Sequence, residues 1–101
     1  MTIGAPKYLD SKVQTLSGNL TLTVNSERLN SLDPGGSGRN VTLPAVANGL
    51  RCDIQNTADG SEDLAVKNSG GTTIVTVSQN EDVSLLCDGT TWMVNLSKGA
   101  T

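Results

Sequence analysis

The chain has 101 residues, a net charge of -3, and neither histidine nor phenylalanine. That length suits one domain with one modest core, and the missing histidine excludes Ser-His-Asp and Cys-His nucleophiles and Cys₂His₂ zinc sites. Seven scattered basic residues, one Trp and one Tyr offer neither the basic stripe of a nucleic-acid binder nor the stacking platform of a single-strand binder.

No apolar run approaches the roughly 20 residues of a membrane span. The start, Met1-Thr2-Ile3-Gly4-Ala5-Pro6-Lys7, lacks the apolar centre of a signal peptide. The expectation is a protein made and retained in a cytoplasm. Its core must be aliphatic, built from Leu, Val and Ile, while abundant Thr favours strands and abundant Asn and Gly favour the turns between them.

Residues 1–12 show no clean period and contain Pro6. They read as an extended N-terminal arm, with simple terminal disorder as the alternative. From Val13 the pattern is alternation broken by turns. In Asn19-Leu20-Thr21-Leu22-Thr23-Val24, the leucines and Val24 share one face and the threonines the other, which predicts the clearest strand of the chain. Arg28 to Leu32 is a shorter candidate. Asp33-Pro34-Gly35-Gly36-Ser37-Gly38 is a loop, and Asn40-Val41-Thr42-Leu43 is a strand stopped by Pro44, which has no N–H for a ladder.

Leu50-Arg51-Cys52-Asp53-Ile54-Gln55 alternates with Leu50, Cys52 and Ile54 inward. An acidic loop follows over 56–62, then a strand over 63–67. Asn68-Ser69-Gly70-Gly71 is a hairpin turn, because Gly and Asn tolerate positive φ. Strands follow over 73–77 and 83–87, separated by the turn Gln79-Asn80-Glu81. Val83, Leu85 and Cys87 are expected inward. Asp88-Gly89 is a second hairpin signal leading to Thr91-Trp92-Met93-Val94-Asn95-Leu96, where Trp92, Val94 and Leu96 share a face.

About eight short strands at 8–12-residue spacing, with no helical period and no internal repeat, predict an all-β domain. The expected form is a small antiparallel β-sandwich, jelly-roll-like, or a barrel. It occupies residues 13–97, with the arm at 1–12 and a short tail at 98–101.

Candidate chemistry is sparse. Asp53, Asp59, Glu62 and Asp63 suggest a calcium loop, but Gln55 and Thr57 stand where an EF-hand places acids before Asp59-Gly60. A solvated acidic loop is the simpler reading. Gly35-Gly36-Ser37-Gly38-Arg39 leads into a strand, whereas a phosphate loop opens a helix after Gly-Lys-Ser/Thr, so it reads as a turn. Three glycosylation sequons, at Asn19, Asn40 and Asn95, fall in predicted strands and read as chance. Cys52 and Cys87 read as buried free thiols, with a cross-sheet disulfide as the alternative. Trp92 reads as a core anchor, with a ligand platform as the alternative. No catalytic, cofactor or metal residue is assigned. In the arm, Tyr8 with Ile3 and Leu9, together with Pro6 and Lys7, form the candidate partner-binding segment.

A series of motifs carries a resemblance. Leu32-Asp33-Pro34-Gly35-Gly36 precedes Arg39-Asn40-Val41-Thr42-Leu43-Pro44. Ile54-Gln55-Asn56-Thr57-Ala58-Asp59, Glu62-Asp63-Leu64-Ala65-Val66 and Gly70-Gly71-Thr72-Thr73-Ile74 follow, then Cys87-Asp88-Gly89-Thr90-Thr91-Trp92. In that order they resemble head decoration (cement) proteins of tailed bacteriophages, and related patterns occur in phage fibre segments. The resemblance spans roughly 16–94 and rests mostly on turn chemistry. It implies a non-enzymatic virion protein on the outer capsid face, synthesised in the host cytoplasm. It also implies a homotrimer that clamps neighbouring subunits of the major capsid protein, with no cofactor, nucleic acid, membrane or small-molecule substrate. A fibre, receptor-binding or carbohydrate-recognition module is the alternative.

Overall fold

A computed structural model of the chain describes residues 11–98. These form nine strands: β1 (Ser11–Thr15), β2 (Leu20–Thr21), β3 (Leu29–Asp33), β4 (Arg39–Thr42), β5 (Asn48–Asn56), β6 (Leu64–Lys67), β7 (Thr73–Val77), β8 (Glu81–Asp88) and β9 (Trp92–Lys98). They make two sheets, ordered β1-β3-β5-β8-β9 and β2-β4-β6-β7. The all-β expectation and the sandwich-like arrangement hold, and the sheets do not close into a barrel. Strand β1 begins at Ser11, inside the stretch read as an arm, and β9 runs through Lys98.

The antiparallel expectation is corrected. Pairings β1-β3, β3-β5, β2-β4 and β4-β6 are parallel, and only β5-β8, β6-β7 and β8-β9 are antiparallel. The cause is the path of the chain. From β1 to β6 each successive strand crosses to the other sheet, so the strand that next returns to a sheet runs the same way as the one before it. Parallel neighbours need such a crossover, and here a strand of the opposite sheet supplies it. The chain thus winds as a flattened coil through β6. It then reverses at the β6-β7 hairpin, and β8 and β9 extend the larger sheet.

Inward residues of the two sheets make one core. Leu32, Ile54, Val83 and Leu85 come from the larger sheet and Val41, Leu64, Val66 and Val77 from the smaller, all fully buried. Burying an aliphatic side chain of this size contributes about 1.5–3 kcal/mol. Leu43, Leu16 and Leu22 fill the core from connecting segments. Cys52, Ile54, Val83, Leu85 and Cys87 are inward, as the alternation read from the sequence expects, and Leu50 is half-buried against the same core.

The strand expected over residues 19–24 shrinks to Leu20–Thr21. Beyond it a local turn competes for the backbone: Thr23 N–H donates to Ser26 Oγ at 2.8 Å, and Ser26 N–H returns a bond to the Thr23 carbonyl at 3.0 Å. Short hydroxyl side chains near their own backbone favour such turns over a ladder. Leu22 is still buried, whereas Val24 is exposed.

The Asp33–Gly38 loop is a built turn. Gly35 N–H donates to Asp33 Oδ1 at 2.9 Å, and Arg39 Nε donates to the Pro34 carbonyl at 2.8 Å. Gly35 has φ +81°, and a Cβ there would collide with the Leu16 carbonyl. Both features require glycine.

Candidate interaction surface

The outer face of the larger sheet follows from its register. Arg51 lies opposite Leu86 and Leu86 opposite Met93; Asp53 lies opposite Ser84 and Ser84 opposite Asn95. Inward residues on β8 are consumed by the core, so this period-2 counterpart must face away from it. Leu86 and Met93 stand 48% and 57% exposed as one apolar pair. With Arg51, Ser84 and Asn95 they line an open depression of about 290 Å³. Beside it Asp53 takes two cations: Arg28 Nε at 3.3 Å and Arg51 Nε at 3.7 Å.

Strand β9 borders this face. Its inward side carries Trp92, Val94 and Leu96, as the sequence predicts, but burial splits them. Trp92 is 8% exposed, a core anchor as the sequence reads it, although its Nε1 has no hydrogen-bond partner among the described residues. Val94 and Leu96 are 41% and 44% exposed, because β9 is the edge of the larger sheet and meets the smaller sheet at its edge strand, β7.

The acidic residues are regrouped. Asp53 belongs to the outer face with its arginines. Asp59 and Glu62 are joined by Asp33 at the end of β3, with carboxylate oxygens within 4.8 Å of one another. Asp33 went unnoticed in the sequence because 26 positions separate it from Asp59. Asp63 instead gives its backbone carbonyl to Arg39 N–H at 3.0 Å. One oxygen from each of three carboxylates falls short of the six to eight that calcium takes.

Cys52 and Cys87 are free and buried. Burial, helped by neighbouring Asp53, pushes the Cys52 thiol from about 9 up to about 12. A nucleophilic cysteine needs the opposite shift.

Sequence reasoning missed Asn56, read as the start of a loop. It is 1% exposed at the end of β5. Its Nδ2 donates to the Glu62 carbonyl at 2.9 Å and the Val77 carbonyl at 2.8 Å, and its Oδ1 accepts from Ala58 N–H at 2.9 Å. One side chain thus ties the larger sheet to β7 of the smaller and holds the 57–63 connection. The available signal was its place at the next inward position after Cys52 and Ile54.

The contact residues expected in the arm, Ile3, Pro6, Lys7, Tyr8 and Leu9, lie outside the described residues. Comparison of the chain with protein-family models, with curated proteins and with solved structures finds no match.

Proposed function

We propose that this chain is a structural virion protein that binds the outer surface of a phage capsid and stabilises the shell by bridging neighbouring major capsid subunits. The observation that carries the reading is the outer face of the larger sheet: an exposed Leu86–Met93 pair on the outer side of a five-stranded sheet, flanked by the Arg28–Asp53–Arg51 ion pairs. A protein that holds another surface needs an apolar centre, a polar rim and a backing that does not yield. The ordered turn motifs that resemble decoration proteins support the same reading. Weak single contacts suffice on a shell, because many linked copies raise the effective concentration. The protein acts by binding and not by catalysis, consistent with a Cys52 thiol held protonated.

The test is co-sedimentation of the purified chain with expanded phage capsid shells stripped of decoration protein. Leu86→Asp with Met93→Asp is expected to abolish binding while the fold survives, since both side chains are exposed. Removal of residues 1–10, which precede β1, is expected to lower occupancy through loss of the Ile3, Pro6, Lys7, Tyr8 and Leu9 contacts. Full occupancy by both altered proteins refutes the reading.

The parallel winding of β1 to β6 favours a second reading, a fibre or receptor-binding module, because stacked coils present extended recognition surfaces. A glycan array run beside the shell assay separates the two.

A further inference from the structure

Among the described residues, four strands have a ladder partner on one side only: β1 and β9 in the larger sheet, β2 and β7 in the smaller. Free strand edges template pairing, and folded proteins guard them by shortness, charge, proline or bulges. Strand β2 has two residues; β1 carries Lys12; β7 is joined to β6 through an irregular register at Val66/Lys67. Strand β9 carries its one charge, Lys98, at its last position, and has none of these guards over Trp92 to Ser97. It holds unbroken register with β8 from Trp92 to Lys98, and residues 92–97 include no charge and no proline.

The direction of its backbone groups follows from the hairpin. Asp88 N–H donates to the Thr91 carbonyl at 3.3 Å, which makes Asp88 and Thr91 a hydrogen-bonded pair. Antiparallel ladders alternate. Met93, Asn95 and Ser97 therefore bond to β8, and Val94 and Leu96 direct N–H and C=O to the free edge. The same two residues carry the exposed apolar side chains of this strand's inward side.

We infer that β9 pairs antiparallel with β9 of a second copy of this chain, about a twofold axis at Asn95. In that register Val94 and Leu96 of the second copy exchange both backbone hydrogen bonds, and the symmetry repeats the exchange. Each Val94 side chain lies beside a Leu96 on the inward side; Asn95 meets Asn95 and Met93 meets Ser97 on the outer side. The two larger sheets become one continuous sheet of ten strands.

Self-complementarity favours a second copy as the occupant. Two copies each of net charge -3 repel, and the 92–97 strip is where they meet with no like charges opposed. The strip is also self-complementary, as a twofold contact requires. The pairing is independent of the capsid reading and replaces the threefold ring that the resemblance implies.

Sedimentation equilibrium of the full chain tests it, with Val94→Pro and Leu96→Lys as variants. Proline at Val94 removes a free-edge N–H and no bond to β8. The wild-type chain is expected at twice the monomer mass, and each variant at least tenfold weaker in association with an unchanged circular dichroism spectrum. Should the proline variant unfold, Leu96→Lys carries the test. Asn95→Cys adds a covalent readout: a non-hydrogen-bonded pair sets the Cα atoms about 4.5 Å apart, within disulfide range, so oxidation is expected to give a linked dimer, the native thiols being buried. A monomer at millimolar concentration, a trimer, a dimer that survives both substitutions, or an Asn95→Cys protein that does not cross-link overturns the inference.

Discussion

Replacing Asn56 by alanine is expected to be the most damaging single polar substitution in the domain. The side chain is 1% exposed and makes three hydrogen bonds, to the Glu62 and Val77 carbonyls and from Ala58 N–H. A bond lost from a partner that water can reach costs about 1 kcal/mol net, and a partner left buried without a replacement costs about 1–3 kcal/mol. Val77 and Ala58 are buried, so water does not readily substitute. One such partner and two buried ones give an expected loss of about 3–7 kcal/mol, a large share of the 5–15 kcal/mol typical of a domain. At about 4–8 °C per kcal/mol, the Tm falls by at least about 12 °C. Asn56→Asp tests the mechanism more sharply. It keeps the acceptor for Ala58 but turns an anionic oxygen on two carbonyls, so it is expected to lose at least as much. Urea unfolding followed through Trp92, the single tryptophan, gives the midpoint shift at unchanged m. Asn25→Ala, in an exposed turn, is the control and is expected within about 0.5 kcal/mol of wild type. A loss below about 1 kcal/mol in Asn56→Ala refutes the assignment of Asn56 as the tie between the sheets.

Two further outcomes follow from the geometry. Gly35 and Gly36 both have positive φ, but only at Gly35 does a Cβ meet the Leu16 carbonyl; Gly36→Ala is therefore expected to cost about 1–2 kcal/mol for its backbone conformation and Gly35→Ala clearly more, measured by the same urea titration. The Cys52 thiol is raised from about 9 to about 12 by burial, so the unfolded chain loses its proton first; stability is full below about pH 9, falls as pH rises toward about 12, and the fall is smaller in Cys52→Ala. A denaturation series across pH 8–11 checks the sign.

Much of the local structure was legible in the residues themselves. Alternation named the inward residues of β5 and β8. The Asn68-to-Gly71 and Asp88-Gly89 turns named both hairpins, because the left-handed backbone they need is cheap for glycine and asparagine. The strand over residues 19–24 failed because alternation does not reveal a Thr23–Ser26 turn that takes the same backbone groups.

The winding was not legible, for a physical reason. Ser11 pairs with Leu29, 18 positions on; Leu20 with Val41, 21 on; Leu29 with Asp53, 24 on; Arg39 with Leu64, 25 on. Unequal turns leave no repeat to find, and a period of two is the same in parallel and antiparallel sheets.

By itself the sequence determined an aliphatic all-β domain, two hairpins, two cysteines on inward faces and no histidine chemistry, since these depend on residue type and near neighbours. Only the tertiary structure decided what lies side by side across many residues: the parallel coil, the Asn56 tie, the union of Asp33 with Asp59 and Glu62, and the exposed edge of β9. Val94 and Leu96 show the division. Their period marks them as core residues, and they face the core side, but whether anything covers them depends on the width of the opposite sheet, which no local pattern encodes.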